Sequence, residues 1–189
     1  MQTEVTNAQY EQCYRQDGCT KPNNDWWEDP ANAEHPVVNI NWEEATEYAE
    51  WVGGRLPTEA EWEKACRWEA EEQQARIYPW GDQAPNAARL NYSFEVGETT
   101  EVGQYAAGAN QLFDMAGNVY EWTADWYAGD YYITSPDEDP TGPEIGDFRV
   151  LRGGSFLYYR GDVRCAYRNG SVPLARGGPI GFRVVSPDR

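Results

Sequence analysis

Cysteine and histidine are the side chains with which this chain could most readily hold a transition metal or attack a substrate. The sequence contains four cysteines and one histidine: Cys13, Cys19, Cys66, Cys165 and His35. A single histidine argues against a multi-histidine metal site and against most Ser–His or Cys–His catalysis. We expect His35 at the surface or at the end of an element, because it lies directly before a proline.

The four cysteines are too few for a disulfide scaffold at this length. Cys13 and Cys19 flank the predicted end of the first helix, where they form either a disulfide or two reduced thiols. Cys66 and Cys165 either fill the core or form a pair that joins a helix to a strand. Both questions stay open at this point, because the sequence does not reveal the redox compartment.

The charge and hydropathy of the chain exclude several classes of function. Lys and Arg number 15 and Asp and Glu number 32, for a net charge of −17. Nonspecific nucleic-acid binding and docking on anionic membranes both need a basic face, so we expect neither. The mean hydropathy is −0.82, and no apolar run approaches the roughly 18 residues of a membrane helix. No signal peptide is visible, and the compartment stays unknown.

Helical patterns occur in the first third of the chain, and they must position whatever chemistry the chain has. A helix is predicted over 4–16 with Thr6 or Asn7 as its N-cap, and a second over 42–52 behind Asn41. A third is predicted over 56–68, where Thr58 and Glu61 form a capping box.

The remaining sequence predicts loops and short strands. Beyond a short strand at 37–41, we place strands at 78–82, 91–96, 100–105, 117–127, 148–156, 163–168 and 181–186. No linker or repeat interrupts the chain. The prediction is therefore one domain spanning 1–189, of α+β class and rich in loops, with two or three helices and short antiparallel strands.

Several motifs occur here in a family-specific order: TEVTNAQY (3–10), HPVVNINWEEA (35–45), GGRLPTEAEWEKA (53–65), YPWGD (78–82), NQLFDMAGNVYEWTADWY (110–127), RVLRGGSF (149–156) and IGFRVV (180–185). In this order they resemble the formylglycine-generating enzyme, or sulfatase-modifying factor, family. The resemblance covers nearly the whole chain and implies the C-type lectin fold. Family domains usually begin one or two strands earlier, so we expect a fragment of a longer protein or a shortened natural domain.

The resemblance also implies an enzymatic alternative, which the residues disfavour. Formylglycine-generating enzymes oxidise a substrate cysteine, for example of a sulfatase, with Cu(I) held by two cysteines. In the enzymes that pair lies between the GGS and RCA motifs, but the corresponding segment 156–164 contains no cysteine. A related branch uses iron held by several histidines. We therefore expect neither copper nor iron, since the thiolate and imidazole ligands are missing.

The resemblance also implies calcium as a cofactor at two places in the chain. Hard oxygen ligands suit Ca²⁺. The alternative for Asp114 and Glu121 at the first place is that they cap and hydrogen-bond a tight turn. The implied ligands are Asp114, Gly117, Val119 and Glu121 at the first place, and Asn91, Tyr92 and Glu98 at the second.

The C-terminal segment has an unusual composition. Residues 153–186 contain no Lys, Gln, Glu, Trp or Met. Randomising only the adenines of Asn codons would exclude these five types. Diversity-generating retroelements act in this way, and their variable proteins use this fold, so the segment resembles a diversified one. The alternative is an ordinary family paralogue.

The leading functional prediction is a non-catalytic binding module that recognises a protein or another macromolecule through about 156–180. Residues 153–189 carry six Arg and two Asp, a net charge of +4 on an acidic body. An accessory or sensor domain of a larger protein is a further possibility. The predicted contact residues are Tyr158, Tyr159, Arg160, Asp162, Tyr167, Ser171, Val172 and Leu174, because Tyr and Arg are common in binding hot spots.

Overall fold

A computed structural model describes residues 1–69 and 72–186, and it contains the three predicted helices. They are α1 (Asn7–Arg15), α2 (Trp42–Trp51) and α3 (Glu59–Arg67). Each begins with a complete capping box, in which the N-cap side chain accepts from the N3 backbone and the N3 side chain accepts in return. Two backbone donors are thus satisfied at each N-terminus, which explains why short helices begin so sharply. Within the described residues, none of the helices is long and apolar enough to cross a bilayer.

The central sheet has four strands in the order β5-β4-β3-β6. Its strands are β3 (Tyr120–Trp126), β4 (Arg149–Arg152), β5 (Asn169–Ser171) and β6 (Ile180–Phe182). A separate two-stranded ribbon pairs β1 (Trp68–Glu69) with β2 (Gln74–Ala75). The prediction of α+β structure with few helices is confirmed. Not all pairings are antiparallel, however, because β3 and β6 run parallel.

Several predicted strands are turns in the structure. Residues 37–41, 91–96, 100–105 and 163–168 form no strand, and 78–82 contains only the isolated pair Tyr78–Gly81. The physical reason at 91–96 is local, since Ser93 and Phe94 have φ values of 54° and 61°, outside the extended region.

The main core lies between α1, α2 and the sheet. Trp122 of β3 is fully buried there, together with Tyr10, Tyr48 and Phe182. Trp62 is buried in a second cluster beneath α3. These aromatic side chains fix the sheet against the helices.

Two disulfides settle the alternatives that the sequence left open. Cys13 pairs with Cys19 at the end of α1, and Cys66 of α3 pairs with Cys165. Cys165 lies in a turn, so the second bridge joins a helix to a loop and not to a strand. That loop carries the predicted contact residues, which the bridge therefore ties to α3.

Candidate functional site

The segment after β4 folds back on itself because of two glycines. Gly153 and Gly154 have φ values of 89° and 74°, a region that L side chains rarely adopt. A Cβ on Gly154 would lie 2.8 Å from the carbonyl oxygen of Asp162, so only glycine permits this close return of the chain. Across the turn, the Asp162 N–H donates to the Tyr159 carbonyl at 2.8 Å, and Asp162 Oδ2 accepts from the Tyr159 N–H at 3.2 Å.

Three tyrosines form the floor of this segment. The ring of Tyr158 meets Tyr120 edge to face at 4.9 Å, and both Tyr158 and Tyr167 pack on the main core. Asn169 Nδ2 donates to the Tyr120 hydroxyl at 3.3 Å. Burial raises the pKa of Tyr120, and burial followed by the Asp162 charge raises that of Tyr167. The hydroxyls of Tyr120 and Tyr167 therefore stay neutral and available for hydrogen bonding.

The predicted contact residues fall into separate groups. Tyr158 and Tyr167 belong to the tyrosine floor, and Asp162 bonds to the Tyr159 backbone within the turn. Tyr159 and Arg160 are exposed, Tyr159 at 61%. Tyr120 and Asn169 also contribute to this surface but are not predicted from sequence, because sheet pairing sets their positions in β3 and β5. The tyrosine content of the segment was the only available signal.

The second half of the predicted surface is attached to α2. The Trp42 N–H donates to the Pro173 carbonyl at 3.0 Å, and Arg176 forms an ion pair of 2.7 Å with the buried Glu44. Ser171 is half-buried in β5, whereas Val172 and Leu174 are exposed, Leu174 at 67%. This turn presents an apolar edge whose backbone is held in place.

Most of the positive charge of the segment is neutralised internally. Arg168 forms a bidentate bond to buried Glu59 at 2.6 and 2.8 Å, and Arg183 does the same to Glu121. Together with Arg176, three of the arginines are ties to other elements. The cationic patch predicted from the net charge is therefore much reduced, and Arg160 and Arg164 are the arginines of 153–186 without an ion pair among the described residues.

The first predicted calcium site lies in a buried charge cluster. Glu121 accepts from Arg183 Nε at 2.6 Å and Nη2 at 2.7 Å, and also from Trp62 Nε1 at 2.8 Å. Asp114 Oδ2 accepts from the Gly103 N–H at 2.6 Å. A cation bound by Glu121 would have to displace a guanidinium, so Glu121 does not fit the role of a calcium ligand. It forms an internal ion pair instead.

Neighbouring acids add to this cluster. Burial raises the pKa of Glu4 well above its usual range, with contributions from Asp114 and Glu121, and burial also raises the pKa of Asp114. Three carboxyl groups thus face the one Arg183 guanidinium, and a proton on Glu4 or Asp114 reduces the excess negative charge. Across 1–69 and 72–186, no group of three or more His, Cys, Asp or Glu side chains has an arrangement that would hold a metal ion.

The second predicted calcium site is packed directly against the first. Gly117, with φ of 81°, would place a Cβ 2.3 Å from the Asn91 carbonyl oxygen, which also accepts from the Asn118 N–H at 2.8 Å. Asn91 Nδ2 donates to the Glu98 carbonyl at 2.7 Å, while its buried Oδ1 has no hydrogen-bond partner. An unpartnered buried amide oxygen fits a calcium ligand. Tyr92 is half-buried beside it, and the Glu98 side chain is exposed.

The chain is similar in sequence to a known family and to several known proteins. The family described as "Sulfatase-modifying factor enzyme 1-like domain" matches residues 1–187. The serine/threonine-protein kinase pkn1 of Chlamydia pneumoniae is 45% identical over 159 residues, covering 83% of this chain and 25% of that protein. The formylglycine-generating enzyme of Streptomyces coelicolor is 41% identical over 168 residues, covering 80% and 52%. The chain thus spans about a quarter to about half the length of these relatives.

Solved structures show the same architecture. PvdO from Pseudomonas aeruginosa superposes with a TM-score of 0.76 at 26% identity, covering 97% of this chain and 77% of that one. Treponema denticola variable protein 1 gives a TM-score of 0.71 at 22% identity, covering 96% and 81%. The second likeness shows the fold alone. It demonstrates that a protein named as variable uses the same scaffold as this chain.

Proposed function

Because this chain belongs to the sulfatase-modifying factor family, whose fold is that of C-type lectins, we propose that it is a non-catalytic ligand-binding module. Its recognition surface is the C-terminal segment, about 156–180. The observation that carries the proposal is the state of the cysteines. Segment 156–164 contains none, and all four cysteines of the chain are in disulfides. A disulfide sulfur has no thiolate charge with which to hold Cu(I).

The single histidine supports the same proposal. His35 Nδ1 lies 2.9 Å from the hydroxyl of buried Thr99, and its ring meets Trp26 edge to face at 5.1 Å. These two contacts give His35 a structural role. Iron chemistry of the kind that needs several imidazoles therefore has no support in this sequence.

The distribution of burial supports diversification of the segment by a retroelement. Framework positions such as Arg152, Val163 and Cys165 are fully buried. Tyr159, Arg160, Val172 and Leu174 are of types that adenine randomisation of an Asn codon can produce, and all four are exposed. Tyr158 is also of such a type but packs on the main core. Exposed side chains on a rigid frame can change without disturbing the core. A protein or another macromolecule is the class of ligand that such a surface would contact.

The experiment is a selection for ligands with a built-in surface control. A displayed random peptide library is panned on the disulfide-intact protein, and the enriched clones are measured against two triple variants. The first carries Tyr159→Ser, Val172→Ser and Leu174→Ser. The matched control carries Val52→Ser, Ile133→Ser and Ile145→Ser, which removes three exposed apolar side chains outside the segment. We expect the first variant to lose binding at least tenfold and the control to retain it.

Two results would overturn the proposal. One is enrichment of ligands that bind the first variant as well as the wild type. The other is stoichiometric Cu(I) binding, assayed by competition with a chromophoric chelator, together with oxidation of a cysteine-containing sulfatase peptide. The latter would favour the alternative of a copper-dependent formylglycine-generating oxidase. The 41% identity to the Streptomyces coelicolor enzyme makes that assay necessary.

A further inference from the structure

A loop outside the C-terminal segment forms part of the same surface. The Ser93 N–H donates to the Tyr158 carbonyl at 2.8 Å, and the Phe94 N–H donates to the Phe156 carbonyl at 2.7 Å. The rings of Phe94 and Tyr159 lie 6.2 Å apart. Loop 92–98 is therefore hydrogen-bonded to the recognition segment and lies beside it on the same surface.

The backbone of this loop is strained at two successive residues. Ser93 and Phe94 have φ values of 54° and 61°. The left-handed region costs roughly 1–2 kcal/mol for each residue with a Cβ, and a bulky residue there is unusual. The strain does not serve burial, because Phe94 is 52% exposed and its neighbour Val96 is 50% exposed. Strain that holds an aromatic ring on the surface is typical of ligand-binding positions.

A small cavity opens between this loop and the segment. It has a volume of about 300 Å³, and its apolar walls are Trp26, Val38, Phe156, Leu157 and Pro179. That volume is at the lower end of ligand-binding pockets. It suits one large side chain better than an extended small molecule. Glu98 and Thr99 lie at its polar side.

The charge around the cavity is negative. Glu98 lines the cavity, Glu95 lies on the same loop, and Glu101 follows three residues after Glu98. All three side chains are exposed, and none of them forms an ion pair within the part of the chain that the structure describes. Opposite them, the turn 156–161 contains a single cation, Arg160. The body of the protein adds to this field, since the whole chain carries a net charge of −17. The negative charge of this surface therefore favours binding of a positively charged partner.

We propose that this surface, consisting of Phe94, Val96, Phe156, Leu157 and Tyr159 with the cavity beside them, docks a segment of a protein partner. The segment carries an aromatic or large aliphatic anchor flanked by Lys or Arg. The anchor enters the cavity, and the flanking cations pair with the loop carboxylates. The inference rests on the proposed binding function and names the class of ligand for it.

The experiment uses short labelled peptides of defined composition. Gly-Lys-Trp-Lys-Gly, Gly-Glu-Trp-Glu-Gly and Gly-Lys-Ala-Lys-Gly are titrated by fluorescence anisotropy, and their sites are mapped by amide chemical shifts. We expect the Lys-Trp-Lys peptide to bind at least tenfold more tightly than either of the others. Its shifts should centre on Phe94, Glu98 and Leu157, and its affinity should fall as salt is raised from 50 to 300 mM.

A variant that relieves the backbone strain at residue 94 distinguishes a loss of binding from a loss of folding. Phe94→Gly removes the ring and suits the positive φ, so its melting temperature should equal or exceed that of the wild type. We expect this variant to bind the Lys-Trp-Lys peptide at least fivefold more weakly than the wild type does. Ile145→Gly, which removes a side chain that is 84% exposed elsewhere, should leave affinity unchanged.

The outcomes separate this inference from the proposed function. Equal affinity for the three peptides, unaltered binding by Phe94→Gly, or no binding at 1 mM overturns the inference. If library-selected ligands still depend on Tyr159, Val172 and Leu174 but bind Phe94→Gly fully, the binding function stands and the docking class is wrong. If selected ligands bind all of these variants as tightly as the wild type, both the proposed binding function and the docking inference are wrong.

Discussion

Arg183, which directly follows β6, and Glu121 of β3 form a bidentate ion pair in the protein interior. The two bonds measure 2.6 and 2.7 Å, and both side chains are almost fully buried. Arg183 also donates to the main-chain carbonyls of Gln2 and Phe113. The Arg183 side chain thus connects the N-terminus, the loop before β3 and the sheet, and it stabilises the part of the fold that supports the recognition surface.

Removing one partner of this pair should be severe. Arg183→Met leaves Glu121 buried beside Asp114 and Glu4 without a counter-charge, at a cost of about 3–5 kcal/mol of unfolding free energy. The double variant Arg183→Met with Glu121→Gln should recover part of that loss, since no charge is stranded. Urea denaturation measures both, with Arg164→Met as the exposed control. Equal losses in the single and double variants would contradict this account.

The Cys66–Cys165 bridge should matter more for stability than the Cys13–Cys19 bridge. The sequence separations are 99 and 6 residues, and loop-closure entropy predicts roughly 4–5 against roughly 2 kcal/mol. Replacing each pair by alanine and measuring urea denaturation tests the order. The Cys66→Ala and Cys165→Ala variant should also lose ligand binding before it unfolds globally, because the bridge anchors the recognition loop. Retained binding with lowered stability would separate the two roles.

The helices could be predicted from sequence because their signals are local. Thr58 and Glu61 specify the start of α3 without reference to the rest of the chain, and the structure contains that capping box. The strands could not be predicted as well. β5 consists of Asn-Gly-Ser, which has no intrinsic strand preference and is extended because β4 pairs with it.

The candidate site was predictable in composition but not in geometry. Tyr158 and Tyr167 follow from the segment's own residues, whereas Tyr120 reaches them only through the sheet. The neutralisation of Arg168 could not be foreseen, since its partner Glu59 lies 109 residues away in sequence. Phe94 was placed in a predicted strand, and only its backbone bonds to Phe156 assign it to the surface.

Asp125 should give the stability a specific pH dependence. Burial raises its pKa to about 6 from the usual 3.8, while its Oδ2 accepts from the Glu59 N–H at 2.6 Å and its Oδ1 is unpartnered. Because the pKa of Asp125 is higher in the folded chain than in the unfolded chain, its contribution to stability is complete below pH 3.8. That contribution is lost as the pH rises through 6. Asp125→Asn keeps the acceptor and removes the charge.

The Asp125→Asn variant should therefore be more stable than the wild type at pH 8, by about 1–3 kcal/mol. The difference should shrink as pH falls to 5, where Asp125 in the wild type is protonated. Melting temperatures of both proteins at half-unit pH steps measure this. Asp162→Asn, on the surface turn, serves as the control. A difference that is constant with pH would show that Asp125 does not titrate in this range.

Calcium binding should depend on Asn91 and not on Glu121. The unpartnered Asn91 Oδ1 can accept a cation at no cost in hydrogen bonds, whereas Glu121 would have to release Arg183. We expect 1 mM Ca²⁺ to stabilise the wild type by about 1–3 kcal/mol, as for a ligand present well above its Kd. Asn91→Ala should abolish the gain. Glu98→Gln should reduce it and Glu95→Gln should not, because Glu98 is the predicted acidic ligand on the same loop. Differential scanning calorimetry with Mg²⁺ as the ion control measures each shift, and stabilisation that survives Asn91→Ala would place the ion elsewhere.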